Sequence, residues 1–179
     1  MRADDNAGFV PISIALLTVS DTRTEADDTS GDILAGRIEA AGHRLVARTI
    51  RRDDADEVAA QFGTWIDDPA VDAVISTGGT GLTGRDVTPE AMEKIRAARG
   101  GRDIPGFGEL FRWISFETIG TATIQSRACA AVVGGTYLFA LPGSNGAVKD
   151  GWDRILAPQL DNRTRPCNFV GLMPRLRET

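Results

Sequence analysis

The sequence predicts an α/β fold with a largely parallel sheet covered by helices on both faces, and three observations carry that prediction. Short apolar runs alternate along the chain with segments of helical period, the pattern of strand–helix–strand units. A glycine-rich turn, Ser76 to Gly84, joins one of these runs to a helix start. The other loops that close apolar runs, Ser20-Asp21, Arg51 to Asp54 and Pro142 to Gly146, then share the carboxyl edge of the sheet. Ligands bind at that edge in such folds.

Ile12 to Val19, between Pro11 and Ser20-Asp21, reads as a buried parallel strand. Asp27 to Ser30 offers helix caps, and Leu34, Ile38 and Ala41 repeat at helical spacing until Gly42 ends them. Leu45 to Ile50 is a second strand. Val58, Phe62, Trp65 and Ile66 fall at i, i+4, i+7 and i+8, so Ala55 to Asp67 is an amphipathic helix. Val71 to Thr77 is a third strand, and Pro89, preceded by Thr88 and followed by Glu90, opens the next helix. A loop from Gly100 to Gly106 leads into a helix over Phe107 to Glu117. Thr136 to Leu141 is another strand, and Val148, Trp152, Ile155 and Leu156 mark a late helix. Trp65, Trp113 and Trp152 are expected in the core or in subunit contacts.

With 179 residues the chain is long enough for one fully packed domain. Residues 1–11 read as a polar, disordered leader, 12–168 as the domain and 169–179 as a C-terminal tail without a period. No apolar stretch approaches the roughly 20 residues that cross a bilayer, so no membrane association is expected, and the location is expected to be cytoplasmic. A net charge of −5 argues against nonspecific nucleic-acid binding, which needs a basic surface. Any attraction for an anion must be local, from Arg85, Arg112, Arg127 or Lys149. Cys129 and Cys167 fit no metal-ligand spacing and read as reduced. The single histidine, His43, reads as a helix-end cation or a solvated side chain and excludes histidine-dependent triads.

A glycine-rich turn between strand and helix groups backbone N–H donors beside the positive end of the helix dipole, which suits a phosphate. Gly78, Gly79, Thr80 and Gly81 supply that turn, with Arg85 and Asp86 placed as a cation and a magnesium-binding carboxylate. Gly79 to Gly84 satisfies the dinucleotide pattern G-x-G-x-x-G, but the place of its acidic second strand is taken by a loop, Arg99 to Gly106. The spacing also approaches a P-loop, with Arg85 where Lys is required. A bare turn would leave Arg85-Asp86 without a reason. Asp53, in Arg51-Arg52-Asp53-Asp54, emerges at the same edge as Asp86, and two carboxylates beside a phosphate cradle suit Mg2+. Alone, that run reads more readily as a solvated charge cluster. Thr18 and Ser20 could hydrogen-bond an anion or cap their loop. Ser126-Arg127 reads as an anion clasp or a surface pair. Glu109 and Arg112 follow Gly106-Phe107-Gly108, and Pro142-Gly143-Ser144 is a turn where backbone can approach a flat ligand.

These blocks resemble the MoaB/MogA family of molybdenum cofactor biosynthesis proteins over nearly the whole chain, from about Ile12 to Asn168. The matching segments are Leu17 to Asp21, Asp28 to Gly31, Ser76 to Gly81, Arg85 to Ala91, Gly106 to Glu109, Ser126-Arg127 and Leu141 to Ser144. The closing segment, Ala157 to Phe169, is similar to the B-type branch. The resemblance implies a three-layer αβα sandwich with a mixed, mostly parallel sheet. It implies a single molybdopterin-binding domain and a homo-oligomer, a trimer or dimer of trimers. It also implies a reaction in which molybdopterin and Mg-ATP give adenylylated molybdopterin and pyrophosphate, for delivery to the downstream molybdenum-insertion enzyme.

By the same resemblance Asp53 and Asp86 are the catalytic, Mg2+-holding pair, with Asp54 the alternative to Asp53. Gly78, Gly79, Thr80, Gly81, Arg85, Gly106, Glu109, Pro142, Gly143 and Ser144 then surround the nucleotide, and Thr18, Ser20, Ser126 and Arg127 hold the pterin. Some B-type members lack both acids, and this chain keeps one at each position. The rival expectation is a non-catalytic molybdopterin carrier of the same pathway. A second keeps the fold but inserts metal directly, or serves tungsten.

Overall fold

Strands that are apolar at nearly every position must be covered on both faces, and three strands of this chain are used that way. The computed structural model describes residues 2–3, 7–176 and 178. In chain order its elements are β1 (Arg2–Ala3), β2 (Ser13–Val19), α1 (Thr29–Ala40), β3 (Arg44–Arg51), α2 (Ala55–Ile66), β4 (Ala73–Thr77), α3 (Thr88–Arg99), β5 (Arg102–Asp103) and α4 (Pro105–Ile119). A 3-10 turn (Gly120–Gln125) follows, then β6 (Cys129–Val133), β7 (Thr136–Leu141) and α5 (Asn145–Gly151). A π-turn (Trp152–Leu156) and α6 (Ala157–Gln159) continue that helix, and β8 (Thr164–Arg165), α7 (Phe169–Leu172) and a final turn (Met173–Arg175) close the chain. Every residue of β2, β4 and β7 is buried.

The main sheet has the order β3-β2-β4-β7-β6-β5. The first four strands pair parallel, whereas β6 runs antiparallel to both β7 and β5. β6 is a strand that the sequence pattern did not reveal, because Cys129-Ala-Ala-Val-Val is short and rich in alanine. Its signal lies in the turn. Gly134 and Gly135 both take positive φ, 62° and 91°, as a two-residue hairpin turn requires. That hairpin makes the sheet mixed.

Side chains along β2 alternate between two cores. Ile14 and Leu16 face α1, α4, α5 and the π-turn through Leu34, Ile38, Phe107, Phe111, Val148 and Trp152. Ala15, Leu17 and Val19 face α2 and α3 through Val58, Phe62, Trp65 and Met92. The result is a three-layer αβα sandwich. Among the described residues, no helix is long and apolar enough to cross a membrane.

Three expectations are corrected. The leader is not wholly unstructured: Arg2 and Ala3 pair antiparallel with Arg165 and Thr164, while residues 1 and 4–6 lie outside the described residues. The tail folds back onto the core. Val170 is buried, the Phe169 ring lies 4.9 Å from that of Tyr137, and the Tyr137 hydroxyl donates to the Phe169 carbonyl at 2.9 Å. One helical turn is too short to show a period, and residues 177 and 179 lie outside the described residues. His43, expected at the surface, is buried between Phe9 and Trp152, and its Nδ1 accepts from the Ile12 amide at 3.3 Å. Burial pushes its pKa down, so it sits there neutral.

Candidate functional site

The parallel strands β2, β4 and β7 end side by side, and their loops enclose a cleft of about 530 Å3. One crossing of backbones shapes it. Gly78, at φ 100°, passes so close to β2 that a Cβ would collide with the Val19 carbonyl oxygen. Its amide donates to Leu141 O at 2.9 Å, and the Thr77 hydroxyl donates to Pro142 O at 3.1 Å. Gly143 packs against Gly78 from the other side, where a Cβ on Gly143 would sit 3.2 Å from the Gly78 Cα. Thr88, first residue of α3, donates its hydroxyl to Gly78 O at 2.8 Å, and its amide bonds Gly79 O. The hydroxyl therefore ties the helix to the turn instead of capping the helix.

Of the turn amides, those of Gly78 and Gly81 are engaged, the first by Leu141 and the second by the Asp86 carboxylate. Gly79 and Thr80 line the cleft, and among the described residues their amides have no such acceptor.

Asp53 and Asp86 converge here from different strands. Asp53 Oδ1 lies 3.1 Å from where a Gly79 Cβ would be, just behind the lining, and Asp86 lines the cleft beside Gly81. Asp54 points elsewhere, capping α2 by accepting from the Asp56 and Glu57 amides at 2.8 and 3.0 Å. The pair is electrostatically unequal. Burial, then the charge of Asp86, pushes the Asp53 carboxyl above the usual carboxylate range. Burial acts on Asp86 in the same sense, but hydrogen bonds from the Thr83 hydroxyl and the Gly81 and Thr83 amides, with the Arg127 charge, outweigh it and hold Asp86 low. Asp86 is the charged partner and Asp53 the reluctant one.

Thr18, Ser20, Ser126, Pro142, Gly143 and Ser144 also line the cleft. Thr18 gives its hydroxyl to the buried Asp28 at 2.6 Å, and Ser144 caps α5 by accepting from the Ala147 amide at 3.2 Å. Besides Asp53, four expected site residues do not line it. Arg85 is exposed and ion-paired with Asp21, because it follows the turn and points outward. Arg127 braces the turn from outside, donating to Gly81 O and Asp86 O at 2.6 Å each and pairing with Glu90. Gly106 and Glu109 lie at the start of α4, whereas the cleft wall is its later part, Phe111, Ser115, Thr118 and Ile119. Glu109 lines a separate hollow of about 220 Å3, and a Cβ on Gly106 would touch nothing within 4 Å.

Arg112 and Lys149 are absent from the lining as well. The one cation among the described lining residues is Arg23, which the sequence pattern did not single out. Its loop is a plain polar stretch, and only the fold brings it to Gly143, whose carbonyl accepts from Nη2 at 3.0 Å.

Comparison with known proteins agrees with this architecture. Residues 15–162 match the family described as "probable molybdopterin binding domain". The chain is 49% identical over 161 residues to molybdenum cofactor biosynthesis protein B of Escherichia coli K12, covering 90% of this chain and 92% of that protein. It is 41% identical over 151 residues to the protein of the same name from Bacillus subtilis, covering 84% and 86%. A crystal structure of molybdenum cofactor biosynthesis protein B superposes with a TM-score of 0.83 at 33% identity, over 95% of this chain and 98% of that one. The tungsten cofactor synthesizing protein MoaB from Pyrococcus furiosus superposes with 0.72 at 33% identity, over 82% and 91%. A glycine crossing, a carboxylate pair beside it and near full-length similarity lead to one conclusion: the chain belongs to the molybdopterin-binding domain family, alongside the molybdenum cofactor biosynthesis B proteins.

Proposed function

We propose that the protein acts in molybdenum cofactor biosynthesis as a molybdopterin adenylyltransferase. The observation that carries this reading is the placement of Asp53 just behind Gly79 and of Asp86 beside Gly81, on the glycine turn of a cleft large enough for a nucleotide. The donor set fits Mg2+. It consists of two carboxylates beside neighbouring parts of the glycine turn, Asp53 by Gly79 and Asp86 by Gly81. Magnesium is commonly held by one or two carboxylates together with substrate phosphates and water. Asp53 and Asp86 would hold the ion, which when bound supplies charge neutralisation on the triphosphate.

The chain's own groups do the rest. The Gly79 and Thr80 amides offer donors to phosphate oxygens, and Thr88 and Arg127 keep the turn in shape. Ser20, Ser126 and the Pro142-Gly143-Ser144 turn border the two substrates. A phosphate oxygen of molybdopterin attacks the α-phosphorus of ATP. The new P–O bond forms as the bond to the β-phosphate breaks, and pyrophosphate leaves with the electron pair. No covalent enzyme intermediate is needed, and positioning with electrostatic stabilisation lowers the barrier. The product is suited to delivery to a molybdenum-inserting enzyme.

The test is Mg2+-dependent formation of adenylylated molybdopterin by the purified protein and by Asp86→Asn and Asp53→Asn. Product from wild type is expected, with a loss of at least about a hundredfold in each variant. Tight pterin binding without product from any form would make the protein a carrier instead.

A further inference from the structure

The substrates proposed above are anionic, yet the chain carries a net charge of −5 and its cleft is lined by Asp86 and Asp150. Arg23 is the only opposite charge among the described lining residues, and it is fixed from behind. Its Nη1 donates to Asp28 Oδ1 at 3.3 Å and to the Ser30 hydroxyl, and its Nη2 donates to Gly143 O. A guanidinium has five N–H donors in a rigid fork, so these three bonds leave others for a ligand.

Asp28, wholly buried, also accepts from Arg48 at 2.9 Å, from Thr18 at 2.6 Å and from the Gly31 amide at 3.0 Å. Its charge is divided between two guanidinium groups, so Arg23 keeps a positive face toward the cavity. Arg23 is anchored where α1 and α5 begin, over one face of the sheet, through Asp28, Ser30 and Gly143. Asp53 and Asp86 stand over the other face, where α2 and α3 begin. The glycine crossing separates them. The cleft thus has a negative half that wants a metal and a positive half that does not.

We infer that Arg23 is a metal-independent clasp for a phosphomonoester, the terminal phosphate of one substrate, while the carboxylate pair serves the metal-bound polyphosphate of the other. Identifying that monoester with molybdopterin rests on the proposed function; the clasp itself does not. Asp28 acts through Arg23 and is a positioning residue.

The test titrates inorganic phosphate into the full chain in the presence of EDTA, by calorimetry, with Arg23→Gln, Arg23→Lys and Asp86→Asn alongside. Wild type is expected to bind, Arg23→Gln to bind roughly tenfold or more weakly, and Arg23→Lys to recover part of the loss as a point charge without the fork. Asp86→Asn is expected to lose Mg-ATP binding while keeping phosphate binding, and Arg23→Gln to show the reverse. Phosphate binding by Arg23→Gln at wild-type strength would overturn the assignment, as would no metal-free binding by wild type. An equal loss of both ligands with a lowered melting temperature would reduce Arg23 to a structural strut. If the phosphate results hold and molybdopterin does not bind, Arg23 stands as a clasp and the proposed function falls.

Discussion

Asp28 and Asp53 stand at the same sheet edge, and the fold moves their acidities in opposite directions. Burial works against the Asp28 carboxylate, but hydrogen bonds from Thr18, Arg48 and Gly31 with the Arg48 charge outweigh it and lower its pKa. Its stabilising effect is therefore complete above the unfolded value of about 4 and lost as pH falls further through the folded value. Asp28→Asn is expected to cost about 3 kcal/mol at pH 7, the low end for breaking a buried pair, because both arginines reach solvent. Urea denaturation should show this gap narrowing below pH ~4. For Asp53, raised by burial and by Asp86, the ionised form is the costly one, and that cost vanishes as pH falls through its folded value toward the unfolded one. Asp53→Asn should therefore raise the melting temperature at pH 7 by ~1–2 °C, on the order of 0.5 kcal/mol after screening, and gain nothing near pH 4. At this scale the places of Asp53 and Asp86 could be read from the sequence, and that of Arg23 could not. Asp53 and Asp86 follow strand ends that periodicity reveals. Arg23 gains its place only through partners at Gly143 and Asp28, which no spacing in the chain announces.

The glycine turn was legible as an element because its position between strand and helix limits what it can be. Its internal bonding was not. Which amides are engaged, by Leu141 and by Asp86, depends on a neighbouring strand and on a side chain's rotamer. The turn also contains glycines of different necessity. Gly78→Ala is expected to cost about 3 kcal/mol or more, from left-handed strain and collision with Val19 O. That is roughly 10 °C in melting temperature for a chain of this size. Gly84→Ala, where a Cβ meets nothing within 4 Å, should change it by less than about 2 °C. Calorimetric melts of the two variants check both. The missed strand β6 follows the same rule, since its pairing is dictated by the Gly134-Gly135 turn more than by its own alanine-rich residues.

At the scale of the whole molecule, alternation of strands and helices was enough to give the layers, while the closing of the chain's ends was not, because β1, β8 and α7 are each too short to carry a period. Among the described residues, one apolar row stays exposed. Trp113 (68% exposed), Phe116 (54%), Ile119 (54%) and Ile124 (76%) present an apolar row along α4 and its following turn, and Ile119 also lines the cleft. In the trimer or dimer of trimers that the family resemblance implies, we propose this row as a subunit seam, and light scattering is expected to give three or six copies for wild type. Trp113→Asp with Phe116→Asp should shift the mass toward one copy while leaving the monomer folded. A different consequence follows from the cleft's construction across β4 and β7, where Thr77 and Pro142 meet 65 residues apart in the chain. Long-range parallel pairing is a late and slow event in folding. During refolding from urea, phosphate capture should return with the slowest phase and never with the earlier recovery of helix. A nascent chain that has made both halves but not joined them is therefore expected to have no hold on a ligand, with affinity acquired only at the moment folding is finished.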